Sequence, residues 1–191
     1  MIIGIHGFKQ SGKDTLADLL VREFGFTKIA FADKLKETLH LIFNVPKDKL
    51  WGSDEDKQSL TEVRWSDFSK IQRDDKIDST FLSIRELMQI FATEVCRSEM
   101  PGIWYQFLDL KRSDKLIVSD VRFQNEADFL KSKGAFLFKV NRPAISGGIH
   151  ASEAGLHDDL MDDIYLNDKS LEEFLESSKK RFEDWFSKYS N

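Results

Sequence analysis

The stretch that most constrains this chain is GFKQSGKDT, residues 7–15, directly after the apolar run MIIGIH. Gly7 and Gly12 bracket four residues and Lys13 follows, which is the G-x-x-x-x-G-K spacing of a phosphate-binding loop. The run before the loop reads as a short buried strand. KDTLADLLVREF after it puts Leu16, Leu19, Leu20 and Phe24 on one side of a helix that Gly25 ends. Strand, glycine loop and helix in that order suit an anion. Backbone N–H groups of residues 8–13 can converge on a phosphate, and the helix N-terminus adds partial positive charge. The two glycines allow the tight path, and Lys13 would reach the β- and γ-phosphates of a nucleotide. One position departs from the pattern: Asp14 stands where a hydroxyl should follow the lysine, and Thr15 supplies the hydroxyl one residue late. Two readings of Asp14 stay open. It holds Mg²⁺ through water, or orients the acceptor, or it only favours the positive end of the helix, worth ~0.3–1 kcal/mol. Ser11, Gly12, Lys13, Asp14 and Thr15 form the candidate nucleotide-binding set, with Asp14 and Thr15 also candidate metal ligands.

The rest of the chain alternates strand and helix patterns. TKIAFA is a second strand, and DKLKETLHLIF a helix with Asp33 placed to cap it. Residues 44–78 are charged and weakly periodic, and read as peripheral. STFLSIRELMQIFATEVCRSEM, residues 79–100, reads as a long helix with a Ser83…Glu86 capping-box pattern. DKLIVSDVR, GAFLFKVNR and DDIYLND are three further strands. An amphipathic helix with Leu171, Phe174, Leu175, Phe182, Trp185, Phe186 and Tyr189 follows. The alternation argues an α/β fold with a five-stranded parallel sheet and helices on both faces, its ligands beyond the carboxyl ends of the strands. The 191 residues fit a single domain, and 41% hydrophobic residues with 16 Phe and 4 Trp suffice for a core. A net charge of −5 argues against a nucleic-acid or membrane-surface role. Cys96 is the single cysteine, no apolar run approaches the ~18 residues of a membrane span, and no signal peptide is evident. Together these suit a reducing cytoplasm.

Two more clusters carry candidate chemistry. On a helix advancing ~100° per residue, Arg85, Gln89 and Thr93 share one stripe, opposite Ile84, Leu87, Met88, Phe91 and Val95. That row lacks the Glu/Lys mixture of an ordinary wet surface. It is followed by Arg97 and by Trp104-Tyr105, aromatics able to flank a base. The other cluster is LIVSDVRFQNEA. Asp120 ends an apolar strand, where many phosphate-loop proteins place a Mg²⁺-linked acid. Arg122 comes two residues later and Glu126 opens the next helix. A strand-end acid and arginine can also simply pair with each other.

These residues resemble the deoxynucleoside monophosphate kinases of tailed bacteriophages. Five blocks carry the resemblance in order: SGKDTLAD, SIRELMQIFATEV, SDVRFQNEADFLKSKGAFLFKVNRP, HASEAGL and LNDKSLEE. It implies a P-loop nucleoside-monophosphate-kinase fold. It also implies transfer of the γ-phosphoryl of ATP to a deoxynucleoside 5′-monophosphate with Mg²⁺, small-molecule substrates and the host cytoplasm, and it leaves room for a homodimer. Lys13, Asp14, Arg85, Asp120 and Arg122 would be catalytic. Arg85, Gln89, Thr93, Trp104, Arg122 and Glu126 would bind the acceptor, and Asp14, Thr15 and Asp120 would serve the metal, directly or through water. Ala92 and Glu86 depart from the family pattern, which bears on the fit of the acceptor base. PAISGGIHASEAGL, within about 143–157, is the candidate mobile flap; His150 and Glu153 match its H-x-x-E block, and His150 receives no catalytic role.

A similar SGKD loop and S-D-x-R strand end occur in animal phosphomevalonate kinases, the second reading. It leaves Trp104 and the Arg85–Gln89–Thr93 row without a purpose. A nucleotide-dependent switch is the third; it would want N-K-x-D, where this chain has only LNDKS. Arg64 and Arg73, in the charged segment, receive no role.

Overall fold

The computed structural model describes residues 1–68, 80–143, 145 and 155–189. Ile3, Gly4, Ile5 and His6 are all buried, as a strand covered on both faces requires, and they form β1 (Ile2–His6). The chain then turns through the glycine loop into α1 (Lys13–Phe24), which buries Leu16, Ala17, Leu19 and Leu20 and ends on Gly25 in the left-handed conformation. Next come β2 (Thr27–Ile29), α2 (Phe31–Phe43) and α3 (Lys47–Leu50), then β3 (Leu60–Arg64), β4 (Phe81–Ser83) and α4 (Ile84–Gln89). A π-helical stretch, Ile90–Arg97, continues α4. The remaining elements are α5 (Ile103–Gln106), β5 (Leu116–Val121), α6 (Gln124–Ser132), β6 (Phe136–Asn141), β7 (Asp163–Leu166) and α7 (Leu171–Tyr189).

The structure divides into two units, Met1–Phe31 with Leu108–Asn191, and Ala32–Phe107. The first holds the expected five-stranded parallel sheet, in the order β2-β5-β1-β6-β7. With β1 central, the loop that leaves its carboxyl end is flanked by the carboxyl ends of β5 and β6. α7 lays Phe174, Phe182 and Trp185 into the core with Phe138 and Tyr165 of the sheet and Leu16, Leu19 and Leu20 of α1. The Phe138 and Trp185 rings meet edge-on at 4.8 Å, a favourable aromatic geometry.

The second unit departs from expectation. Residues 81–83 are not the first turn of a helix; they form β4, antiparallel to β3, with Leu60 opposite Ser83 and Arg64 opposite Phe81. The charged segment thus supplies a strand, and the Arg64 guanidinium lies 4.7 Å from the Phe81 ring centre, a cation–π contact. The helix starts where the capping box puts it. Ser83 Oγ accepts from Glu86 N at 3.2 Å, and Ser83 N donates to Glu86 Oε2 at 2.9 Å. The α geometry stops at Gln89, and a wider i→i+5 turn follows it over Ile90–Arg97. The start of α2 also differs. Phe31, not a residue after Asp33, opens it, and the carboxylate that caps it is Asp120, whose Oδ1 accepts from Phe31 N at 2.7 Å. Asp33 lies within the first turn and accepts from Trp51 Nε1 at 3.3 Å. No described helix is long and apolar enough to cross a membrane.

Candidate active site

Gly7 begins the loop because nothing larger fits. A Cβ there would lie 2.5 Å from Ser11 Oγ and 3.0 Å from the Val140 carbonyl oxygen. Gly12 ends it with φ of 100°, and Gln10 also has positive φ, 62°, so the backbone reverses hand within three residues. Such alternation makes a concave nest of N–H groups. Ser11 N is withdrawn from that set, since it donates to Phe8 O at 3.1 Å and closes the turn. Beyond the nest, Gly12 is the N-cap of α1, and no side chain among the described residues caps it. The first-turn amides of α1 are therefore available to an anion from outside. Ser11 is 1% exposed, and its Oγ has no hydrogen-bond partner among the described residues.

Two side chains hold the loop's carbonyls from outside. Arg142, just past β6, donates from Nη1 to Gln10 O at 3.2 Å, and Asn167, just past β7, donates from Nδ2 to Ser11 O at 2.8 Å. Neither was singled out from the sequence. Both stand at carboxyl ends of strands, the positions from which a parallel sheet reaches its ligand, and that signal could have found them.

The Asp14 carboxylate sits between two ammonium groups. Lys13 Nζ is 3.6 Å from Oδ2 and Lys28 Nζ is 3.3 Å from Oδ1, while Lys28 also holds Asp18 at 2.9 Å. Partial burial works against the Lys28 charge, but the Asp18 and Asp14 carboxylates outweigh it and hold its pKa above the usual value. Lys28 was likewise missed, because a lysine in a three-residue strand reads as surface.

At the end of β5, Asp120 is half-buried with Oδ1 committed to Phe31 N, and Arg122 is exposed. Glu126, the expected acceptor-side acid, is 1% exposed. Its Oε2 accepts from Arg122 N at 2.8 Å and Phe123 N at 3.1 Å, so this carboxylate is occupied with shaping the turn that carries Arg122. His6 closes β1 in the neutral core. Its Nδ1 bonds to Val121 O at 2.9 Å and its Nε2 accepts from Leu156 N at 3.3 Å. Burial pushes its pKa down, and Lys139 and Lys13 add to that, against the Val121 bond and Asp158.

In the second unit Arg85 forms an ion pair with Asp54, and Gln89 and Thr93 are half-buried. Trp104 is 6% exposed, and its Nε1 donates to Ala92 O at 3.2 Å, which stitches α5 to the π-helical stretch and leaves little of the ring to flank a base. Of the candidate flap at 143–157, residues 144 and 146–154 lie outside the described residues, including His150 and Glu153; so does Arg73.

The family model described as deoxynucleotide monophosphate kinase matches residues 1–77 and 44–178. A putative deoxynucleotide monophosphate kinase of Acanthamoeba polyphaga mimivirus is 34% identical over 91% of this chain and 92% of its own. The chain belongs to the deoxynucleotide monophosphate kinase family. The phage T4 deoxynucleotide monophosphate kinase is more distant, 25% identical over 93% of this chain and 97% of its own. Among solved structures, a dephospho-CoA kinase from Campylobacter jejuni covers 96% of each chain at 13% identity with a TM-score of 0.42, too loose a likeness to bear on function. Membership in this kinase family agrees with a nucleotide as substrate and with the strand–loop–helix context of the Gly7–Gly12 loop.

For Mg²⁺, the donors available are hard oxygens, Asp14, Thr15 and Asp120. Among the described residues no three His, Cys, Asp or Glu side chains come together as a cation cage. That set fits an ion held chiefly by phosphate oxygens and water with one or two protein carboxylates, the usual Mg²⁺ arrangement, and does not fit a dedicated protein site.

Proposed function

We propose that this chain transfers the γ-phosphoryl group of ATP to a deoxynucleoside 5′-monophosphate, giving the diphosphate. One observation carries the reading. The α1 N-terminus is uncapped beneath a loop that admits no Cβ at Gly7, with Lys13 as its first residue. The family supports the choice of acceptor. In this mechanism the loop amides and Lys13 hold the β- and γ-phosphates, and the fixed dipoles cost no reorganisation when charge shifts between oxygens. Bound Mg²⁺ would supply charge neutralisation between those oxygens. Arg122 and Arg85 present planar forks suited to phosphate, on the transferring group and the acceptor. Asp120, by holding the start of α2, and Glu126, by holding the turn at Arg122, set the positions of their neighbours. Gln89 and Thr93 contact the acceptor's nucleoside, and Trp104 supports them from below through its bond to Ala92 O. The substrates are small molecules, and the host cell cytoplasm is the compartment that suits them and the free Cys96.

The test is ADP formation with a panel of deoxynucleoside monophosphates, ribonucleoside monophosphates and phosphomevalonate. At least one deoxynucleoside monophosphate should turn over far faster than phosphomevalonate. The reverse order would overturn the acceptor assignment and leave the ATP site standing.

A further inference from the structure

Asn167 lies one residue beyond β7 and is 9% exposed. Its backbone N–H donates to Asn141 O at 2.8 Å, extending the β6–β7 pairing and fixing where its side chain starts. From there Nδ2 reaches Ser11 O at 2.8 Å, 156 residues away in the chain. The amide also packs against the Gly12 α-carbon, since a Cβ on Gly12 would stand 2.5 Å from Nδ2 and 3.6 Å from Cγ.

The Ser11–Gly12 peptide is trans, like every described peptide bond. In a trans peptide the carbonyl and the N–H of the same unit lie in one plane and point in opposite directions. Holding the Ser11 carbonyl toward Asn167 therefore turns the Gly12 N–H away from Asn167. Glycine on one side of this peptide permits it to rotate at little steric cost, and rotation would swing a carbonyl oxygen toward the place where phosphate oxygens should sit. Something outside the loop must set the orientation. Arg142 does the same for the Gln10 carbonyl, but from an exposed position.

We infer that Asn167 is a positioning residue for the nucleotide: it locks the Ser11–Gly12 peptide so that the Gly12 N–H faces the ATP phosphates. This inference rests on the proposed ATP site. The Asn167 amide makes no contact with substrate; it keeps an acceptor oxygen out of the anion cradle.

The experiment compares wild type with Asn167→Asp and Asn167→Ala by melting temperature without ligand, by the ATP-induced rise in melting temperature, and by KM for ATP and for the acceptor. Asn167→Asp keeps the shape, cannot donate, and sets an oxygen against the Ser11 carbonyl. The expected result for both is a KM for ATP raised about five- to tenfold or more, with the acceptor KM within about twofold. The ATP-induced rise in melting temperature should shrink in parallel. A brace that only holds the fold would lower the ligand-free melting temperature and leave the KM for ATP of the folded enzyme unchanged; that result overturns the inference. So does failure of both variants to fold, because one loop hydrogen bond should not decide the whole fold. A wild-type protein whose melting temperature does not respond to ATP would instead refute the ATP site itself.

Discussion

Replacing Glu126 separates a shaping role from a substrate contact. Its Oε2 accepts two backbone N–H groups, from Arg122 at 2.8 Å and Phe123 at 3.1 Å, in a site where the residue is 1% exposed. Glu126→Gln keeps the outline and a carbonyl acceptor but turns two charge-assisted bonds into neutral ones, a loss of about 1–2 kcal/mol in total. Glu126→Ala leaves both N–H groups without this partner and opens space in a buried site, a loss of about 3–4 kcal/mol. For a chain of this size each kcal/mol shifts Tm by about 2–4 °C, so Tm should fall by about 2–8 °C for Gln and about 6–16 °C for Ala. Melts followed by circular dichroism at two scan rates give those shifts. Initial rates with varied acceptor, well below each Tm, give the kinetic side. The Gln variant should keep the Arg122 turn, with kcat and acceptor KM within about threefold of wild type, under a factor of ten or ~1.4 kcal/mol. The Ala variant should raise the acceptor KM and spare that for ATP. A Gln variant with unchanged Tm and a tenfold higher acceptor KM would refute the reasoning and make Glu126 a direct acceptor ligand.

Arg122→Lys keeps the charge but loses the planar fork, so kcat and acceptor KM should both suffer while the KM for ATP stays near normal; wild-type acceptor kinetics in a folded variant would leave Arg85 as the main clamp. Asp14→Asn should weaken the dependence of kcat on Mg²⁺ concentration and change stability by under ~1 kcal/mol, since the carboxylate itself is exposed; unchanged metal dependence would reduce Asp14 to a helix-end charge. His6 gives a pH signature. Above its ordinary value of 6.5 both folded and unfolded forms are neutral, and below it the unfolded chain takes up a proton that the buried ring refuses. Tm should therefore decline from pH 7 to 5.5 more steeply in wild type than in His6→Gln, and equal slopes would rule the linkage out. Carboxylates such as Glu23, held down at about 2 by Lys179 and Arg22, cost stability only at lower pH and do not blur that window.

Local signals made the first unit legible. An apolar run, two glycines at fixed spacing and a leucine stripe specify β1, the loop and α1 without reference to anything distant, and the same holds for β5, β6 and α7. What escaped depends on partners far along the chain. α2 opens at Phe31, whose N–H is taken by Asp120, 89 residues on, and Asp33 stands in the first turn and not ahead of it. Residues 81–83 form a strand because β3 offers them an edge, and strand propensity is mostly a matter of such neighbours. The capping box at Ser83 and Glu86 was readable, and read strictly it starts the helix at Ile84. The π-helical turn at Ile90–Arg97 has no residue pattern that announces it. The burial of Trp104, 6% exposed, also has no signal in so short an amphipathic stretch.

The acid beside the phosphate loop finds its physical reason in Lys28. Lys13 and Lys28 bring two positive charges to the mouth of the loop, and Asp14 and Asp18 bring two negative ones, so the four side chains balance. If Asp14 depended on Lys13 alone, each nucleotide that engaged Lys13 would strand a carboxylate beside its own phosphates. With Lys28 half-buried and shared between Asp14 and Asp18, Lys13 can leave Asp14 and the carboxylate still has a partner. The geometry is graded in the direction this requires. The Lys13–Asp14 separation is 3.6 Å, looser than the 3.3 Å and 2.9 Å that Lys28 keeps to its two acids. The Asp14 end of that pair is exposed to solvent, which screens it, so the contact is weak enough for a polyphosphate to displace. A tight Lys13–Asp14 bond would instead compete with the substrate. Lys28, on β2, therefore gives the Asp14 carboxylate a positive neighbour that does not depend on Lys13.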